Sequence, residues 1–431
     1  MRLFLFVLVL MTQVTLFSAQ WYPTSAGLND QVTSMGIYNG QLYVGGFFTT
    51  SNGVPVYRMV YWTGSAWQTN MTASSGSVDA ISEFNGDLYI GGGSYMNGLS
   101  SPCIARWNGM TWSNVGSVGL DAFVYDLAVY DSELYVVGNF LTAGGTTVNK
   151  IARWDGFNWS TVGNGSGSFS TTMCLIVHDN KLYMGGDFTS VDGNAAMKIA
   201  CWDGTNWTAL GTGVNAPVYD MISHNGELYV CGSFTIAGGS PANYVAKWDG
   251  SSWSSLSTGM DESVSALEVY NNELYAGGSF LNAGGTTAKY IARWDGISWH
   301  AVDGGMDSHV WEIKEFNGDL YAGGHFTMAG SDSAYYLARY SEFIEVPELS
   351  VKTGFRLFPN PASSTLSLES SQELDNASFM LFDGLGRKIA ESSRMKGANF
   401  TFPIDHLPRG KYFLKIYQEG DSPITMQFIK I

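Results

Sequence analysis

Between residues 20 and 343 the apolar positions come in short alternating runs, cut at regular intervals by Gly, Asn-Gly and Asp-Gly. The clearest stretch is VSALEVYNNELYAGGSFLNAGGTTAKYIARWDGISWHAV, Val264–Val302. An apolar segment reaches a turn at Asn271-Asn272, and ELYAGGSF, a Gly-rich loop, YIARWDG and a last segment from Trp299 follow. Period-two alternation bounded by turn residues predicts four short strands, with Asp-Gly as a hairpin signal. The pair Leu-Tyr marks each copy, at Leu42, Leu88, Leu134, Leu182, Leu228, Leu274 and Leu320, in steps of 46 residues with one of 48. Four-stranded units at this spacing stack radially as the blades of a propeller.

The tryptophans fix the count. Six pairs stand five residues apart: Trp62/Trp67, Trp107/Trp112, Trp154/Trp159, Trp202/Trp207, Trp248/Trp253 and Trp294/Trp299. The seventh copy stops at LARY with Tyr340 in the first slot, while Trp21 precedes Leu42 by 21 residues, the usual spacing of the second slot. The N-terminal segment is therefore expected to supply the outer strand of the last blade, which would remove an open edge. Trp311 alone falls outside these slots. Acid and base also recur together, in Asp87/Arg106, Glu133/Arg153, Glu227/Lys247, Glu273/Arg293 and Asp319/Arg339. Where the base is absent, at Tyr61 and Cys201, the acid is absent too, at Gln41 and Lys181. These positions share one end of a hairpin, so cross-strand ion pairs are expected.

The string ELYAGGSF…YIARWDGISW resembles the Kelch-like propeller repeat, and its AGG and IARWDG elements look like the propellers of fungal cell-polarity marker proteins. The resemblance covers about three quarters of the chain and implies a fold but no single activity, because Kelch-like propellers serve as enzymes, adhesins and scaffolds.

The tail differs in kind. After the segment 344–354, which reads as a linker, residues 355–431 contain no Trp and no copy of the repeat. Alternating strands broken by Pro-Asn-Pro, Asp-Gly and Arg-Gly turns predict a small β-sandwich. The landmarks LFPNPAS (with Pro359, Asn360 and Pro361), MLFDGLGRKI (with Asp383, Gly384, Gly386 and Arg387), LPRGKYFLKI (with Gly410 and Tyr412) and FIKI (with Lys430) resemble the type A C-terminal sorting domain of type IX secretion cargo. That resemblance implies carriage across the outer membrane of a Gram-negative bacterium, with the tail read by the translocon and the cargo released or attached to surface lipopolysaccharide. Residues 1–19 fit the same route. One Arg, an apolar run from Leu3 to Met11, and Ser18-Ala19 have the form of a secretory signal peptide, although Phe17 is larger than usual at a cleavage site. No later run is long enough to span a bilayer.

The expected organisation is all-β: a signal peptide (1–19), a seven-bladed β-propeller closed by its N-terminal strand (20–343), the linker and the C-terminal β-sandwich. Charge narrows the partners. Residues 20–350 carry 11 basic and 30 acidic groups, a net of −19, whereas residues 351–431 carry +2. Such a surface repels phosphate backbones and anionic lipid, which weighs against nucleic acid and membrane surfaces as partners.

Few residues point to chemistry. The six histidines form no HxxxH or HExxH pair, and no phosphate loop opens a helix. Of the four cysteines, Cys103, Cys174, Cys201 and Cys231, the last three read as buried thiols in slots that other copies fill differently, with a Cys174–Cys231 bridge left open. Thirteen residues before each Leu-Tyr stand Asn29, Ser75, Asp121, Phe169, Asn215, Asp261 and Asp307. Asn29, Asp121, Asn215, Asp261 and Asp307 either ring a channel mouth, suited to Ca²⁺ or sugar hydroxyls, or cap turns as Asx residues commonly do. A more varied rim five residues after each Leu includes Phe47, Asn139, Asp187 and His325. The expected function is a secreted or cell-surface binding protein for an extracellular glycan or protein ligand, the alternative a glycan-active hydrolase or lyase working at the channel mouth.

Overall fold

The structure, a computed structural model, describes residues 19–64, 66–71, 76–93, 99, 103–167, 170–341, 355–360, 362–383, 388–407, 410–417 and 424–430. The signal-peptide and linker segments lie outside the described residues, apart from Ala19. All regular structure within them is β.

Seven four-stranded antiparallel sheets follow one another along the chain. Their first strands are Val32–Tyr38, Val78–Phe84, Val124–Tyr130, Thr171–His178, Val218–His224, Val264–Tyr270 and Val310–Phe316. In sheets one to six the strands lie in chain order. In sheet seven the fourth place is taken by Gln20–Pro23, which pairs with Leu337–Ser341 and sets Trp21 opposite Tyr340. The first strand of each sheet packs against the first strand of the next, and Val310–Phe316 packs against Val32–Tyr38. The five expected acid–base couples form, with N–O separations from 2.5 Å for Asp87–Arg106 to 3.3 Å for Asp319–Arg339.

Two devices wedge adjacent sheets together. The outer-strand indole of every sheet donates its Nε1–H to a carbonyl just beyond the preceding sheet's outer strand, as Trp253 does to Leu210 at 2.9 Å. Trp67 of sheet one reaches Thr24 beyond the N-terminal strand, and Trp21 reaches Val302 of sheet six. The same bond thus crosses the join between the chain's two ends. Deeper in, Gly323 faces sheet one, where an added Cβ would stand 2.4 Å from Val32 Cγ1. Gly277 stands in the same relation to Val310. The first glycine of the doublet is there because the neighbouring sheet occupies the space of its side chain.

The C-terminal region is not the expected two-sheet sandwich. It is one five-stranded sheet in which two long strands, Thr365–Asp383 and Lys388–Pro403, pair through several register shifts. Bulges bend a strand and increase its twist, so a single sheet curls and encloses two apolar clusters, one around Phe379 and Phe400, the other around Tyr412 and Phe428.

Candidate functional site

Every inner strand carries a bulge at the same place. The register with the second strand shifts between Val32 and Ser34, and at the equivalent step in each of the other six sheets. The extra residues are Thr33, Asp79, Tyr125, Met173, Tyr219, Ser265 and Trp311, each nine positions before its Leu-Tyr. A bulge leaves its residue outside the ladder and re-aims the side chain. Because the inner strands pack side by side in order, these seven side chains belong to one end of one strand assembly. Neighbours interact: Thr33 Oγ1 donates to Asp79 Oδ1 at 3.1 Å. The Tyr125 ring stacks on Phe123 at 6.5 Å, and its hydroxyl accepts from Asn139 Nδ2 at 2.9 Å.

Below the bulge, the next slot holds carboxyl groups in three sheets, Asp126, Asp220 and Glu312. Asp126 accepts hydrogen bonds from its own neighbour Leu127 N and from Leu175 N of the next sheet, at 2.7 and 2.6 Å. Asp220 repeats the pattern with Met221 N and Leu267 N, both at 2.7 Å. Burial pushes Asp126 up to about 7 and Asp220 up to about 6, in both cases against the pull of the two amides. Burial and the Asp220 charge also raise Glu312. One turn of the pleat further, Lys314 Nζ meets Glu268 at 2.7 Å. Burial acts to lower the Lys314 ammonium, but the Glu268, Glu312 and Asp220 carboxyls together hold it up.

The rim residues join this end in different ways. Phe47 is exposed and its carbonyl accepts from the Arg58 guanidinium. The Asn139 carbonyl accepts from Lys150 Nζ at 2.7 Å. Asp187 pairs with Lys198 at 2.5 Å, and the exposed His325 lies with its ring 6.2 Å from Tyr336.

The five Asx residues are engaged locally. One side-chain oxygen of each accepts two successive amides of the hairpin that follows the second strand: Asn29 from Thr49 and Thr50, Asp121 from Leu141 and Thr142, Asn215 from Thr235 and Ile236, Asp261 from Leu281 and Asn282, Asp307 from Thr327 and Met328. Those hairpins lean on the outer strands, as Thr286–Thr287 does on Trp299–Ala301. Burial opposes ionisation of Asp261 and Asp307, but the amides win and hold both below the usual carboxylate range. Ser75 and Phe169, in the same slot, fall outside the described residues. Among the described residues no group of three or more His, Cys, Asp or Glu is placed to hold a metal ion. All four cysteines are buried and none is in a disulfide, so no bridge joins Cys174 to Cys231. Burial raises both of those thiols well above their ordinary value.

In the C-terminal sheet the sorting landmarks converge on the last strand, Ile424–Lys430. Asn360 Oδ1 accepts from Ile429 N at 2.9 Å, and its Nδ2 donates to Gln427 O at 3.2 Å. Pro359 precedes this clamp in the chain. Tyr412 stacks on Phe428 at 5.5 Å, and Gly410 pairs with Lys430. Asp383 ends its long strand opposite Tyr412, while Pro361, Gly384, Gly386 and Arg387 lie outside the described residues.

Residues 356–430 match the model of the secretion system C-terminal sorting domain. The chain is thus a cargo of type IX secretion, exported to the cell surface or beyond it. Among the described residues no helix is long and apolar enough to cross a membrane. No curated protein matches the chain. Similar solved structures include the extracellular domain of a one-component system from B. thetaiotaomicron, at 14% identity and TM-score 0.48, covering 95% of this chain and 58% of that one. Another is the extracellular domain of a hybrid two-component system of the same organism, at 11% identity and TM-score 0.45, covering 96% and 57%. The chain spans less than two thirds of the length of either. An immunoglobulin-like β-sandwich protein from Bacteroides vulgatus covers 18% of this chain and 85% of its own, at 20% identity and TM-score 0.17.

Proposed function

We propose that residues 20–343 form a closed, Kelch-like seven-bladed propeller, followed by a linker at 344–354 and the sorting domain at 355–431. The signal peptide at 1–19 and the type IX tail deliver it as a surface or released binding protein. Its ligand is an extracellular glycan or protein. One observation carries this reading: seven equivalent bulges present six kinds of side chain at one end of the inner strands, on a scaffold whose outer strands repeat the same indole bond. A rigid frame with a varied, re-aimed set of side chains is what recognition requires.

The test is a screen of the full exported chain against arrays of glycans and extracellular-matrix proteins. Saturable binding without turnover supports the reading, and absence of binding to any of them overturns it. The hydrolase or lyase reading draws on Asp126 and Asp220, whose raised values fall where general acids work. Both carboxyls, however, already hold two backbone amides, a structural duty. Turnover of an array glycan, abolished by Asp126→Asn, would reverse this preference.

A further inference from the structure

Trp311 is the tryptophan that the repeat does not explain. It is the bulged residue of the last inner strand and is 37% exposed. Two of the equivalent slots hold Tyr125 and Tyr219, but four hold Thr33, Asp79, Met173 and Ser265, so packing of the sheets does not demand a large ring there. An indole kept half in water is surface that a partner can cover.

Its surroundings form a built site between sheets six and seven. The His309 ring meets Trp311 edge-on at 5.4 Å and Tyr290 edge-on at 5.8 Å, so three rings run in series from one sheet to the next. His325 N donates to the His309 carbonyl at 2.9 Å, which brings the exposed His325 and the adjoining Tyr336 to the same place. Tyr290 also lines a cleft of ≈ 360 Å³, together with Leu281, Lys289, Asp307 and Met328. That volume sits at the low end of the roughly 300–1,000 Å³ of small-molecule pockets.

We propose that this cleft and the Tyr290–His309–Trp311 series bind a neutral carbohydrate, a pyranose ring lying on the exposed indole with the adjoining sugar in the cleft. The chemistry fits sugar better than the alternatives. A pyranose has an apolar C–H face for an aromatic ring and a rim of hydroxyls that both donate and accept. Imidazole, phenol, ammonium and carboxylate groups all stand within the site, so each kind of hydroxyl contact has a partner. An anionic ligand would meet the net −19 of residues 20–350. A cationic peptide would meet the Lys289 ammonium in the cleft. The proposal rests on the reading of the chain as an extracellular binding protein and names its ligand class.

The test is isothermal titration of the full exported chain with neutral gluco-, manno-, galacto- and xylo-oligosaccharides, alongside oligolysine and the extracellular-matrix proteins of the array. Variants borrow residues that other copies already carry in the same slots: Trp311→Ser from Ser265, His309→Ser from Ser263, and Tyr290→Lys from Lys150 and Lys198. The expected result is saturable binding of at least one neutral oligosaccharide, weakened at least tenfold by Trp311→Ser and by Tyr290→Lys, with unchanged melting temperatures. Equal affinity in wild type and both variants overturns this site. Binding of oligolysine or of a matrix protein, with no neutral sugar bound, overturns the ligand class and leaves the binding-protein reading standing. Binding of none of these probes overturns both.

Discussion

The outer and inner strands of the same seven sheets follow different rules. The outer slot is filled by Trp67, Trp112, Trp159, Trp207, Trp253, Trp299 and Trp21, and each indole makes the same bond to the preceding sheet. The bulged inner slot is filled by Thr, Asp, Tyr, Met, Tyr, Ser and Trp, and no two neighbouring sheets agree. Both slots lie on equivalent backbone, so backbone geometry does not explain the contrast. Uniform residues mark positions where one sheet holds the next. Varied residues mark positions that the architecture leaves free, and those are the ones available to a ligand.

The largest effect should come from breaking the outer series at the join. Deleting residues 20–27 removes the fourth strand of sheet seven and exposes the edge of Leu337–Ser341. Trp21→Ala alone, at a side chain 1% exposed, should cost about 3–5 kcal/mol. Urea unfolding would read both losses. A truncated chain that keeps its midpoint contradicts closure through this strand.

A smaller cost should follow from filling the inner wedge. Gly323→Val drives a side chain into Val32 and should cost about 1–3 kcal/mol, whereas an equally large residue at the bulge should cost little. Thermal melts of Gly323→Val and Ser265→Tyr side by side sharpen the comparison.

The interior carboxyls give a pH signature. Asp126 and Asp220 bind protons in the folded chain that the unfolded chain releases, from the ordinary value of 3.8 up to about 7 and about 6. Stability therefore falls as pH rises through that window, and the melting temperature should climb between pH 8 and pH 5. Below pH 3.8 the trend reverses. Asp249 is held low by Ser251 and Ser252 hydroxyls and amides, and Asp295 by the Ser298 amide and His300, and protonating them loses those bonds. The Asp126→Asn/Asp220→Asn double variant should flatten the slope between pH 4 and 7. An unchanged slope would assign it to other groups.

The smallest effect belongs to the cross-strand ion pairs. Glu227→Gln removes the partner of Lys247, both partly exposed, and should cost under about 1 kcal/mol by denaturant titration. A loss of several kcal/mol would make these pairs part of the wedge.

Much of this was legible in the sequence, because it was periodic. The Leu-Tyr spacing gave the count, Trp21 stood at the right distance to be the missing outer residue, and matched acids and bases marked hairpin ends. The bulge was not legible. Alternation through Val264–Tyr270 shows a strand, but one extra residue against the partner strand leaves no trace in a hydrophobic pattern. The sequence therefore leaves two readings for Asp261 and its equivalents, four residues upstream of the bulge, a ring at the channel mouth or turn caps, and the Asx side chain there grips two amides of a hairpin. A signal was available: Tyr125, Tyr219 and Trp311 share one offset from Leu-Tyr, as do Asp126, Asp220 and Glu312. The C-terminal strands were visible for the same reason as the others. Their continuation through several bulges into one curled sheet was hidden for the same reason as the inner bulge.

The most direct test of the contrast is a triple replacement at the bulged slot, Tyr125→Thr/Tyr219→Ser/Trp311→Ser, read for melting temperature and ligand binding on the same preparation. The account predicts a stability within about 0.5 kcal/mol of wild type, with a correspondingly small change in melting temperature, and loss of binding to whichever extracellular ligand the wild-type chain takes. A chain that melts as early as the Trp21→Ala variant, or that binds as well as wild type, would contradict it.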